Sequence, residues 1–318
     1  MAGSESDDGM TPRELRSDVP ALGEAAYFNF GAHGPSSEAV VEAASDYLAD
    51  HEFGSGTTDP YEHAFGTYET VRERVADFVG AEPDEVALTE STTDGITRIA
   101  GAIDWEPGDT VVRTDLEHPA GVLPWKRLER EGVEVRVVET ENGRIDPEAY
   151  AEAVADARLV CFSAITWTHG TRLPVADLVD IADEAGAFTL VDAVQSPGQV
   201  AMDVSAWGAD AVAAAGHKWL LGPWGAASST STGRGRGRAG AARGRLPERR
   251  GPRRRGDRVQ AGREALRGRD DDPGRPRRTG RGARRDRRGR TRNDRRPDRV
   301  AHGPVQRGRP RRPPAEPP

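Results

Sequence analysis

The chain has 318 residues, 36% of them hydrophobic, which is ample for the core of one large or two ordinary domains. With no apolar run near about 18 residues and a polar, acidic start, it reads as a cytoplasmic protein without a membrane span or signal peptide, and its single cysteine, Cys161, excludes a disulfide framework and a cysteine-based zinc cluster. The net charge of −7 averages two opposite polymers: 31 Arg and 10 Asp+Glu from Thr232 onward, against 14 basic and 42 acidic residues before it. The acidic part has the composition of a fold kept soluble at high salt by surface carboxylates, so its melting temperature should rise with salt; a salt-independent one contradicts that expectation.

In chain order, residues 1–19 read as a flexible, acidic N-terminus. Residues 26–35, AYFNFGAHGP, read as a short extended segment and a turn containing His33, after which Ser36 caps a helix through about residue 50. The loop Gly54-Ser55-Gly56-Thr57-Thr58-Asp59 is too flexible for a core element. In the helix expected over 61–79, Phe65, Tyr68, Val71, Val75, Phe78 and Val79 recur at helical spacing and predict a core stripe. A strand over 86–88 then leads through residues 89–95, TESTTDG, into a helix ending near residue 102. A strand, a hydroxyl-bearing turn and a helix N-terminus make an anion site, because first-turn N–H groups are unpaired and the macrodipole favours negative charge. Thr92 and Thr93 are the candidate ligands there, with an ordinary N-cap as the alternative.

The strand over 111–113 runs into residues 114–120, TDLEHPA, where His118 reads either as a proton relay or as part of a surface turn. A strand over 133–138, a helix over 147–154 capped by Asp146, a buried strand over 158–163 holding Cys161, and a helix over 175–185 follow. The short apolar run 188–191 reads as a buried strand ending on Asp192, with Gln195 three residues later. A second buried run, 211–215, stops at Gly216-His217-Lys218; Lys218 and Lys126 are the only lysines. This alternation predicts an α/β fold with a three-layer, mostly parallel, doubly wound sheet. Ligands bind at the carboxyl ends of such strands, so Asp192, Gln195 and Lys218 should converge on one molecule, although Asp192 alone also reads as a turn former.

An acid that keeps a ring nitrogen protonated, together with a lysine that forms a Schiff base, is what pyridoxal phosphate (PLP) chemistry requires. The stretch 185–225 resembles the class V aminotransferases, fold-type I PLP enzymes that include cysteine desulfurases, selenocysteine lyases and isopenicillin N epimerase-like proteins. The resemblance covers about residues 25–225 and implies the large domain of a PLP-dependent transferase, an amino-acid substrate and a homodimeric parent. It implies Asp192 as partner of the pyridine nitrogen, Gln195 of the ring 3-oxygen, and Lys218 as Schiff-base lysine and general base, with His217 beside it in the cofactor site. It further implies Thr92 and Thr93 as phosphate ligands, His118 as the imidazole stacked on the cofactor ring, and the loop over 54–59 as an arm toward a neighbouring subunit. Two departures stand out. Ala164 follows Ser163 where desulfurases tend to have asparagine, which with Trp167 tilts the reading toward the broader aminotransferase and epimerase-like branch. Ala215 stands where relatives often place a phosphate-binding serine or threonine.

From about Ser229 the composition changes: the 87 residues from Thr232 hold no aromatic residue, no lysine, and five of Val, Leu, Ile, Met or Cys. Such a segment cannot bury enough surface to offset its ordering entropy and reads as disordered. One account is a tail that binds RNA or another polyanion through phosphate contacts and guanidinium stacking. The favoured account is a frameshift in a GC-rich gene, since arginine, glycine and proline have GC-rich codons. The resemblance implies, after the lysine, a last strand and a C-terminal domain with a carboxylate-binding arginine and, in desulfurases, a nucleophilic cysteine; none is recognisable here. The expected organisation is therefore a flexible 1–19, a PLP-binding large domain over 20–231 lacking its last strand and small domain, and an Arg/Gly/Pro-rich tail over 232–318. The expected function is a PLP-dependent class V enzyme impaired in this chain; the alternative is a polyanion-binding protein acting through its tail.

Overall fold

The computed structural model describes residues 10–54, 56–57, 59–233, 235 and 237. The expectations for residues 1–9, for Ser55 and Thr58, and for the tail past Gly237 lie outside the described residues. Part of the expected flexible N-terminus is helical: α1 (Pro12–Ser17) carries a capping box in which Thr11 and Glu14 satisfy each other's backbone N–H groups, with proline at the first helical turn. Val19 behind it is fully buried. Helices α2 (Ala21–Glu24), α3 (Glu38–Gly54) and α4 (Pro60–Val79) follow. Ser37, rather than Ser36, accepts the Val40 N–H at the start of α3.

The remaining elements alternate strand and helix: β1 (Val86–Thr89), α5 (Thr92–Ala102), β2 (Thr110–Thr114), α6 (Leu123–Leu128), β3 (Glu134–Val138), α7 (Pro147–Val154), β4 (Leu159–Ser163), α8 (Val175–Glu184), β5 (Phe188–Asp192), α9 (Val204–Trp207), β6 (Ala211–Ala215) and β7 (Ala227–Ser231). They form one seven-stranded sheet in the order β1-β7-β6-β5-β4-β2-β3. Strands β3, β2, β4, β5 and β6 run parallel, and β7 is antiparallel to both β6 and β1. Side chains alternate between the faces with period two. Val112, Val160, Phe162, Val191 and Val212 pack with Tyr150, Leu178 and Val179 of α7 and α8, whereas Val111, Leu159, Cys161 and Leu190 pack with Ile96 and Trp125 of α5 and α6. The sheet is therefore covered on both faces, as its continuous apolar strands require.

Two expectations are corrected. The last strand is present: β7, ASSTS, closes the gap between β6 and β1, with Ser229 and Thr230 buried. Its residues carry no apolar alternation, so only the two neighbouring backbones reveal it. The stripe on α4 is not core. Val79 is buried and Val75 packs against the core, but Phe65, Tyr68, Val71 and Phe78 are each 40% exposed or more. On α3 no residue is buried, and Leu48 and Phe53 are exposed. Helical periodicity marks a face without naming what covers it.

Candidate active site

The carboxyl ends of the parallel strands gather the polar residues that the sequence singles out. Asp192 is the last residue of β5 and is 2% exposed; its Oδ1 accepts the Val194 N–H at 3.0 Å. Burial raises its carboxyl to about 6, opposed by the Val194 hydrogen bond and the charge of Lys218. Lys218 follows β6 on a loop closed by Gly216 N–H to Ala226 O and Gly222 N–H to Gly216 O, both 2.9 Å. Its buried amine is held below the usual lysine range by loss of solvation, which Asp192 partly offsets. Leu221 takes positive φ, 57°, in this loop, a conformation that a leucine holds only where the surroundings impose it.

A lip formed by residues 27–34 lies against that loop. Gly34 N–H donates to His217 O at 2.9 Å, and a Cβ added at Gly34 would fall 1.8 Å from Lys218 O. Gln195 Nε2 donates to Gly31 O at 2.9 Å, and Gln195 Oε1 accepts from Trp219 Nε1 at 2.7 Å. The rings of His33, Trp224 and His217 form a stack, the last pair 4.0 Å apart and 21° from parallel. Burial, then Lys218 and His33, lower the pKa of the buried His217.

His118 is half-buried; its Nδ1 accepts the Ala120 N–H at 3.3 Å, and its ring meets Trp167 edge-on at 5.3 Å. Burial and then Lys218 lower its pKa, favouring neutral imidazole. At the start of α5, Ser91 rather than a threonine caps the helix by accepting the Asp94 N–H. Thr92 is 5% exposed and its Oγ1 has no hydrogen-bond partner, whereas Thr93 is exposed. The structure thus draws Asp192, Gln195, His217 and Lys218 together, with His118 and Asp192 both within electrostatic reach of the amine. Helix α5 packs on the neighbouring strands, the site of a Cβ at Gly95 lying 3.4 Å from Ala213 Cβ.

Glu117 is a residue that sequence reasoning missed. It is 6% exposed; Oε1 accepts from Thr114 Oγ1 at 2.6 Å and Ser163 N–H at 3.2 Å, and Oε2 from Ser163 Oγ at 2.7 Å. Ser163 is the register partner of Asp192 across β4 and β5. Burial raises Glu117 to about 7, which its three hydrogen bonds oppose and Asp192 reinforces. Cys161, by contrast, sits wholly inside β4, where burial holds its thiol well above the usual range.

A buried acid and a buried amine at the ends of adjacent parallel strands, with a buried, unpartnered hydroxyl at the N-terminus of a helix packed on the same sheet, suit a cofactor with a ring nitrogen, a carbonyl and a phosphate. The profile of the Aminotransferase class-V family matches residues 26–227, and the chain belongs to that family, whose members are PLP-dependent enzymes. It is 37% identical over 220 residues to a probable cysteine desulfurase of Methanothermobacter thermautotrophicus, a match covering 68% of this chain and 55% of the relative. The cysteine desulfurase of Haloferax volcanii is 34% identical over 230 residues, covering 69% of this chain and 53% of that one. The chain thus spans about half the length of the curated relatives it matches. Among solved structures, the apo cysteine desulfurase of Thermococcus onnurineus superposes with a TM-score of 0.66 at 29% identity, covering 74% of this chain and 59% of that one. The cystine C–S lyase C-DES, solved with its product cysteine persulfide, gives 0.64 at 25% identity over 69% of this chain and 60% of its own.

Proposed function

We propose that residues 20–231 are the PLP-binding large domain of a cysteine desulfurase-like class V enzyme acting on an amino acid. The observation that carries this reading is the meeting of Asp192, Gln195 and Lys218 at one sheet edge, with the buried, unpartnered Thr92 hydroxyl at the start of α5. When bound, PLP supplies an electron sink for the pair released as a bond to the substrate's α-carbon breaks. Lys218 is the attachment point for the cofactor, and its amine, made easier to deprotonate by burial, moves the proton at the α-carbon. Asp192, oriented by the Val194 N–H, holds the proton on the ring nitrogen. Gln195 would offer its remaining N–H to the ring 3-oxygen, His118 would cover the ring and exclude water, His217 would flank the lysine, and Thr92 and Thr93 would take the phosphate.

The test is cofactor uptake by the full chain. PLP should give a protein with an absorption band in the near-visible, and borohydride reduction should fix the cofactor covalently to the wild type but not to Lys218→Ala; a Lys218→Ala protein that is labelled on reduction overturns the lysine's role. Adding L-cysteine or other amino acids and following the same band identifies the substrate class. Turnover is impaired in this reading, since Cys161, the single cysteine, is buried and cannot serve as the nucleophile of desulfuration.

A homodimeric parent fits the exposed apolar faces of α3 and α4, which a second copy would cover. Among the described residues no helix is long and apolar enough to cross a membrane. For the tail we infer a change of reading frame, because the family match stops at 227 and the arginine-rich composition starts at Thr232. Resequencing codons 220–318 and translating all frames tests it. An acidic, aromatic-containing continuation supports the shift. If no frame yields one, the tail is genuine, and salt-sensitive RNA binding that vanishes without residues 232–318 becomes its function.

A further inference from the structure

We propose that Trp219 is a positioning residue for the cofactor site, fixing which end of the Gln195 carboxamide is the donor. The proposal rests on the reading of Gln195 as ligand of the ring 3-oxygen. A carboxamide fits its place in two orientations related by a flip, because its oxygen and nitrogen are nearly the same size. Here both neighbours discriminate. The indole N–H of Trp219 can only donate, so the atom 2.7 Å away must be the oxygen. The Gly31 carbonyl can only accept, so the atom 2.9 Å from it must be the nitrogen. The flipped amide would lose both bonds and set donor against donor and acceptor against acceptor in a side chain that is 5% exposed. One N–H remains free, which complements an anionic ring oxygen.

Trp219 is itself wedged. Its ring stacks on Phe30 at 5.7 Å and 18°, and Phe30 meets Tyr27 edge-on at 5.2 Å. Tyr27 Oη donates to His33 O at 2.8 Å, tying the far end of the lip. The backbone of Trp219 is closely packed as well: Gly198 has φ +83°, and a Cβ there would lie 2.4 Å from the Trp219 carbonyl oxygen. Trp219 is thereby the chain neighbour of the residue that carries the amine and the hydrogen-bond partner of the one that faces the ring oxygen.

The variant that isolates this role is Trp219→Phe, which keeps a ring against Phe30 and removes only the N–H. PLP affinity of the full chain, followed by the near-visible band, should fall about tenfold, the loss of one well-aligned hydrogen bond. Gln195→Ala should also weaken uptake, and the double variant should bind no more weakly than Gln195→Ala alone, because Trp219 acts through that amide. Penalties that add, or a Trp219→Phe protein that binds PLP like the wild type, overturn the proposal; so does a variant that merely melts earlier with unchanged affinity. A readout without cofactor separates this from the function above: exchange of the Trp219 indole proton should be faster in Gln195→Ala than in the wild type, and equal rates overturn the lock. A wild-type chain that takes up no PLP while showing that difference overturns the functional reading on which the proposal rests.

Discussion

The interior of the sheet and the lip over its carboxyl edge are built on opposite rules. Strand β4 buries Leu159, Val160, Cys161 and Phe162 on two faces, and its contribution is area removed from water. The lip has less such area: Phe28 is exposed, and residues 27–34 are held by the ring contacts of Phe30 and His33 with Trp219 and Trp224 and by two hydrogen bonds, Gly34 N–H to His217 O and Gln195 Nε2 to Gly31 O. The interior should lose stability in proportion to what is cut away. The lip should lose cofactor geometry while the fold survives.

The largest effect on stability is expected in the interior. Phe162 is 1% exposed and meets Tyr150 edge-on at 6.3 Å, so Phe162→Ala should cost about 3–5 kcal/mol in urea unfolding. The fraction that remains folded should bind PLP with unchanged affinity. A variant that loses affinity as steeply as stability would erase the distinction between the two regions.

Glu117 lies at the junction, and pH separates its contribution. Its folded carboxyl is raised from 4.5 to about 7, so the folded state binds the proton more tightly. The stability linked to it is fully present below about pH 4.5 and lost as pH rises through about 7. Glu117→Gln carries no such proton. Relative to the variant, the wild type should weaken by on the order of 3 kcal/mol between about pH 4.5 and about pH 8. Asp192, raised from 3.8 to about 6, gives both proteins a further loss of stability as pH rises from about 3.8 through about 6. Parallel stability curves for the two proteins would show that Glu117 titrates as in water.

In the lip, Gly34→Ala should cost about 1–3 kcal/mol, as overpacking does, because the added methyl meets the Lys218 carbonyl. Its effect on PLP should be out of proportion to that, with uptake reduced at least about a hundredfold as the turn is pushed off the lysine loop. Near-normal uptake would mean that the lip does not position Lys218.

What could be read in advance divides along similar lines. Asp192 and Lys218 are legible because one ends a buried apolar strand and the other follows the next such strand by three residues, where the chain has no packing reason to place a charge. Glu117 is not, since its burial depends on Ser163, 46 residues away, and no local pattern reports that partner. The clamp on Gln195 likewise joins Gly31, 164 residues distant. Strand β7 escaped notice because Ser and Thr carry no apolar period. The capping box of Thr11 and Glu14 is local, three residues apart, and so is legible in the sequence. Helix α4 misled in the other direction. Like α8, which buries Val175, Leu178, Val179 and Ala182, it shows apolar residues at helical spacing, yet most of that stripe faces outward.

That last contrast yields the smallest expected effect on the folded chain itself. Phe65 and Tyr68 are 48% and 54% exposed, so replacing both with serine removes little packing within the subunit. The change in stability of an isolated subunit should stay within about 0.5 kcal/mol per site. If a second copy covers this face, the same double variant should shift the chain from dimer to monomer in sedimentation, because an exposed aromatic cluster of this kind is worth far more between subunits than within one. A wild type that sediments as a monomer removes the homodimer from the functional reading. A double variant that remains dimeric moves the interface elsewhere, leaving the aromatic face of α4 to another partner.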